Sequence, residues 1–208
     1  MFARHATYLF SFATIAACGG ERAHSAEPLW TDASYEYLDG EDIRFLKPAR
    51  LQRSSRYFLE RDLPWLADDS AKLATVQLSL QLMEFADEEI DVFVDSASAD
   101  RIIVMLTGSP IAFSARDAAL FEVELERESE RLAGLDTTVI RGPIHGEAKS
   151  NGDLKIAKFS QAFTSAVGGG AWSRSLYLVS GQRFTLMVTE VAADEGLIEP
   201  YLWSMRSP

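Results

Sequence analysis

One histidine stands where a histidine can work. His145 lies in Gly142-Pro143-Ile144-His145-Gly146-Glu147, and glycines around an imidazole leave it room to stand clear, with a carboxylate two residues on. That is the setting of a general base. A hydrolase would also need a serine nominated as nucleophile, and the chain has neither a Gly-x-Ser-x-Gly elbow nor a Ser-x-x-Lys pair. The plain alternative is a loop histidine with no task. Three carboxylates, Glu122, Glu126 and Glu130, recur every four residues and stripe one face of a helix. Calcium favours a loop that wraps oxygens around it, so the stripe reads as a solvated face offset by Arg127 and Arg131. No metal site and no cofactor are expected. Cys18, the only cysteine, lies near the start, and His145 is the only histidine beyond residue 24.

Two further features invite a site. Gly168-Gly169-Gly170 has the composition of a phosphate cradle, but Ala171-Trp172-Ser173-Arg174 opens a strand where a cradle needs a helix. The triplet is a hairpin loop. Lys47, Arg50, Arg53, Arg56 and Arg61 face the single acid Glu60 in a chain with 20 Lys and Arg against 31 Asp and Glu. Arg50, Arg53 and Arg56 are the candidates for contact with anionic headgroups or an acidic protein. Their other use is to pair with the domain's own surplus carboxylates.

The leader carries its own chemistry. Arg4 supplies positive charge, Tyr8 to Ala17 is an apolar run of ten residues, and Ile15-Ala16-Ala17-Cys18 follows. Ten residues are too few to span a bilayer core, so the run reads as an export signal. The last four resemble the lipobox of bacterial lipoprotein precursors, which implies cleavage before Cys18 and a lipid on its sulfur. The alternative is an ordinary signal cut near Ser25 or Ala26, which gives a secreted or periplasmic protein. Loss of residues 1–17 removes Arg4 and leaves 19 basic against 31 acidic residues, a net charge of −12. Such a domain repels a phosphate backbone, and nucleic acid is excluded as a partner.

The elements that must position these residues follow from period and punctuation. Residues 18–30 read as a tether and 31–208 as a single domain. Ile43–Leu63 has no clean period and reads as an extended segment with a short strand or helical turn. Val76, Leu78, Leu80 and Leu82 alternate with polar residues, which predicts a strand, with a helix from Asp69 as the competing reading because Leu73, Val76, Leu80 and Met83 would also share a face. Ile90–Asp95 and Arg101–Thr107 make a hairpin. From Ser114 a capping box with Asp117 opens a helix to Ala133, with Ala118, Phe121, Leu125 and Leu132 on one face and Gly134 at its end. Strands follow toward Asn151-Gly152, over Asp153–Phe163, over Trp172–Val179, and from Phe184 onward. Gly196–Met205 closes as a short helix with Pro200 in its first turn.

Strands, a long helix, a meander and a final helix predict an α+β fold, an antiparallel sheet covered by a long helix and a short C-terminal one. Over residues 74–205 this order is similar to that of PsbP-like domains, which include small exported lipoproteins and photosystem accessory proteins. The resemblance implies a non-catalytic binding or accessory domain, which the lipobox would hold to a membrane through Cys18, where it binds or supports a partner such as an envelope protein. The alternative is an envelope hydrolase, or other enzyme, with His145 as general base.

Overall fold

The computed structural model of the chain describes residues 33–38, 43–54, 90–95, 102–108, 111–135, 137–166, 170–193 and 197–206. The leader, Cys18, the tether, the Val76–Leu82 segment and Arg56 lie outside the described residues. In chain order the described elements are β1 (Ala33–Tyr37), β2 (Arg44–Pro48), β3 (Leu51–Ser54), β4 (Ile90–Asp95), β5 (Ile102–Gly108), α1 (Ala115–Leu135), β6 (Val139–Asn151), β7 (Leu154–Ser165), β8 (Ala171–Ser180), β9 (Thr185–Ala192) and α2 (Glu199–Leu202). Strands β3 to β9 form one antiparallel sheet in the order β3-β4-β5-β9-β8-β7-β6, and β1 pairs with β2 beside it. Two meanders are therefore zipped together through β5 and β9, with α1 as the connection between them. The fold is α+β, as the order of elements predicts.

Alternation sorts the strands into two faces. On one, Ile156, Tyr177, Val179, Leu186 and Val188 pack with Phe93, Ile103 and Met105. Phe45 from β2 and Ile198, Leu202 and Met205 around α2 close over them, and Phe45 meets Phe93 edge-on at 5.9 Å. The Arg44 and Arg206 backbones exchange N–H···O bonds of 3.0 and 2.9 Å, which sews the chain end to β2. On the opposite face, Ala118 of α1 is buried with Ile144, Ala157 and Phe159. Phe121 and Leu125 pack against that cluster, the Phe121 ring 5.3 Å from that of Phe159. The apolar stripe read from the sequence is thus the one that meets the sheet.

Helix α1 starts as its capping box dictates. The Ser114 backbone N–H donates to Asp117 Oδ2 at 2.8 Å, the Ser114 hydroxyl to the same oxygen at 2.7 Å, and the Asp117 N–H to Ser114 Oγ at 3.3 Å. These bonds to the charged form lower the Asp117 pKa. Four details differ from expectation. Gly134 lies inside the last turn of α1, which runs to Leu135. The hairpin after β6 turns one residue later than expected: Asn151 pairs with Leu154, so Gly152 and Asp153 are its loop, with Gly152 at φ 61°. The closing helix is only Glu199–Leu202, with Pro200 in its first turn. The segment after Ile43 supplies two strands, β2 and β3, where one short strand or a turn of helix is expected.

Leu125→Ala should lower stability by about 2 kcal/mol, because the side chain is partly buried against the sheet. Glu124→Ala should change it by less than about 0.5 kcal/mol, since an exposed i,i+3 ion pair to Arg127 is all it removes. Paired denaturant titrations check both, and equal effects would place the wrong face of α1 on the sheet.

Candidate functional site

Register decides what can meet His145. Directly opposed residues point to the same face, and the pairings place Arg53, Phe93, Ile103, Glu190, Ser175, Ser160 and His145 in one row across all seven strands. The sheet thus brings the histidine beside Ser160 on the face that α2 covers, with Ser175 and Glu190 one and two strands further along the row. His145 itself is not in a loop, the plain reading of its glycine-flanked segment. It stands exposed on β6, the edge strand, because Gly142 and Pro143 form a bulge that lets the strand continue past them.

The row is not a relay. Ser160 and Ser175 face each other with their hydroxyls 3.5 Å apart, and the buried Tyr177 hydroxyl donates to Glu190 Oε2 at 3.2 Å. Burial, then the Glu190 charge, pushes the Tyr177 phenol above its ordinary range. Glu147, the carboxylate expected to assist His145, instead accepts from Lys149 Nζ at 3.0 Å. That bond is the first cause of a raised Lys149 pKa. Among the described residues the His145 side chain has no hydrogen bond and no ion pair. A base with neither nucleophile nor orienting partner in contact lacks the geometry of triad chemistry.

The other sequence candidates separate. Arg127 and Arg131 pair with Glu124 at 2.5 Å and Glu128 at 2.5 Å, where the sequence suggests the Glu122 stripe as their partner. Glu122 turns to the sheet edge instead, and its Oε1 accepts the Gly146 N–H at 2.7 Å. A Cβ on Gly146 would lie 2.6 Å from that carboxylate. Of the basic segment, Arg50 Nε lies 3.1 Å from Asp95 and Arg53 Nη1 lies 2.7 Å from Asp91. Both aspartates are buried, at 1% and 4% exposure. Arg53 also donates to the Tyr37 carbonyl and stands 5.5 Å over the Phe93 ring, while Lys47 Nζ donates to the Leu51 carbonyl.

One cluster no motif announces. Gln161 of β7, buried on the α1 face, donates to Ser129 of α1 at 2.6 Å and to the Gly142 carbonyl at 2.9 Å, and accepts from Arg174 at 3.1 Å. Helix, bulge and β8 meet on that one amide. Arg174 stands 5.4 Å over the Phe163 ring, which stacks on Trp172 at 5.6 Å.

No family model matches the chain, and no curated protein matches it. Among solved structures, the solution structure of cyanobacterial PsbP (CyanoP) from Synechocystis sp. PCC 6803 superposes with a TM-score of 0.52. Its identity is 11%, over 93% of this chain and 99% of that one. The fold is PsbP-like. A structure from Bacteroides thetaiotaomicron covers 80% of this chain and 45% of its own at 9% identity and a TM-score of 0.44.

Within this PsbP-like fold, the residues that sequence reasoning misses are Gln161 and Arg174, while Glu122 is read there only as part of a solvated stripe. A Gln and an Arg inside runs of strand residues were the available signal, since a polar side chain at a core position needs a partner. Register then shows that Gln161 and Arg174 oppose each other.

Two outcomes test this placement. Arg53→Gln should lower stability by roughly 2–3 kcal/mol, because it strips the buried Asp91 of a cationic partner; Arg127→Gln should be nearly silent. Gly146→Ala should lower stability by about 1 kcal/mol in the wild type, by displacing Glu122 from the Gly146 N–H. In a Glu122→Ala background it should add almost nothing, and a thermodynamic cycle reads that coupling directly.

Proposed function

We propose that the chain is an exported lipoprotein, anchored through Cys18, whose PsbP-like domain works by binding an envelope protein and not by catalysis. The observation that carries the binding half is the outer side of the β1–β2 hairpin. Tyr35 and Tyr37 are 61% and 58% exposed, two residues apart, and the Arg44 guanidinium lies 5.2 Å over the Tyr35 ring. Tyrosine and arginine are the side chains that interfaces concentrate, because each couples apolar area with directed donors. Position in the chain supports the same reading. β1 begins at Ala33, and a fully extended chain from Cys18 reaches about 50 Å. A lipid on Cys18 would hold this hairpin within a molecular diameter of the membrane, where an envelope partner is at high local concentration. Arg50, with 45% of its side chain exposed while paired to Asp95, adds a secondary positive contact. Arg53 and Arg56 belong to the same basic segment.

Fatty-acid labelling in a lipoprotein-processing bacterial host tests the anchor. The wild type should take up label and sediment with membranes, and Cys18→Ser should do neither. Undiminished labelling of that variant would end the lipoprotein reading. For the surface, the lipidated wild type and a Tyr35→Ala/Tyr37→Ala variant should differ in what they co-purify from their own envelope, with the specific partner lost from the variant.

A further inference from the structure

Arg174 is a cation inside a domain of strongly negative charge, yet among the described residues no carboxylate reaches it. Among the described residues its contacts are the neutral Gln161 Oε1 at 3.1 Å and the face of Phe163 at 5.4 Å. Its guanidinium has five N–H donors, so among the described residues the single bond to Gln161 leaves most of them without a protein acceptor. Burial, then the like charge of Arg141, lowers its pKa. Two residues away on the same face, Trp172 is 3% exposed, and its Nε1 is buried with no hydrogen-bond partner. Both side chains gather around one ring: the Trp172 and Phe163 rings stack at 5.6 Å with 8° between their planes.

Each of these is anomalous alone, and together they share a sign. A buried cation without a counter-charge is destabilising, and so is a buried indole N–H without an acceptor. Both need an acceptor, the guanidinium preferably an anionic one, and Gln161 cannot supply more. Its amide is already committed to Ser129, Gly142 and Arg174. That commitment also fixes which way the guanidinium points.

We propose that Arg174 and the Trp172 indole N–H, beside the Phe163 ring on the α1 face of the sheet, form a binding site for a carboxylate. A carboxylate fits on three counts. Its planar pair of oxygens matches the guanidinium fork. Its single charge balances the Arg174 guanidinium, whereas Arg141 donates to the Val139 carbonyl, and a phosphate dianion would bring more charge than Arg174 alone compensates. The stacked aromatic pair receives whatever apolar body the carboxylate carries. Arg174 as a residue keeps part of its surface exposed, which leaves a route in from solvent. The site is on the α1 face, away from the β1–β2 hairpin, so its test is independent of the function proposed above.

The carboxylate could belong to a small free acid or to a peptide C-terminus, and the test separates the two. The full-length chain, labelled with ¹⁵N, would be titrated with benzoate, with a tripeptide and its C-terminal amide, and with inorganic phosphate. The readouts are the Trp172 indole N–H and the Trp172–Arg174 backbone amides. A saturable shift of the indole resonance is expected with benzoate or with the free-acid tripeptide, and none with the amide. The tighter of the two binders identifies the source. Arg174→Gln should weaken that binder at least about tenfold, the loss of roughly 1.4 kcal/mol. Trp172→Phe keeps the ring stack and the arginine and should weaken it by about threefold, read on the backbone amides. Absence of any saturable shift from the carboxylates would overturn the proposal, as would phosphate binding more tightly than they do. So would an Arg174→Gln chain that keeps its native spectrum and its carboxylate affinity.

Discussion

The hairpin between β6 and β7 is the constraint on which the rest of the molecule depends. Gly152 adopts φ 61° and makes a two-residue turn, which locks Asn151 opposite Leu154 and every later pair behind them. Because side chains alternate, a shift of one residue would turn Ile156 and Leu154 away from the β2 and α2 side and Ala157 and Phe159 away from α1. The same register passes through β8 and β9 to β5 and β4, so one tight turn helps decide what lies on each face of seven strands. Gln161 reinforces it from the other end of β7. Its amide joins the helix, the bulge at Gly142 and Arg174, and a slipped strand would break all three bonds at once.

Charge is arranged on this frame by burial. The aspartates of β4 are enclosed, so the basic segment before residue 54 is drawn into ion pairs at the far edge of the sheet. Arg53 completes a pair, caps the Tyr37 carbonyl and covers the Phe93 ring, which makes it a structural link between β1, β3 and β4. At the opposite edge Glu199 of α2 accepts from Lys158 at 3.0 Å and lies 3.4 Å from Lys149, tying the last helix to β7 and β6. Ion pairs thus fasten the neighbouring elements near both edges of the sheet, while its middle is closed by apolar packing.

Much of this was legible in the chain because it depends on short-range pattern. The capping box at Ser114, the face of Ala118, Phe121 and Leu125, the four-strand meander and the hairpin of Ile90–Thr107 each rest on residues within a few positions of one another. What could not be read depends on register between distant strands. Nothing near His145 says that Ser160, Ser175 and Glu190 will share its row, and nothing near Arg50 says that Asp95 will be its partner. Edge-strand extension is also invisible locally. Gly142-Pro143 looks like a strand breaker, yet at a sheet edge a bulge absorbs the missing N–H and the strand runs on. The Arg174 cluster was missed for the same reason, since Gln161 and Arg174 are thirteen residues apart and meet only by pairing.

The bond from Glu122 to Gly146 has a consequence for how this protein behaves in a crowded compartment. β6 is an open sheet margin, and the Gly146 N–H points away from β7, toward any strand that might add there. An unprotected margin of this length is a template for intermolecular β-pairing and, with repetition, for fibrillar growth. The carboxylate from α1 already occupies that donor and presents negative charge to an incoming backbone carbonyl. Glycine at 146 is what lets the carboxylate come so near, since a side chain there would push it off. A helix laid over the sheet for its apolar stripe therefore also covers one of the donors through which that margin could recruit another strand.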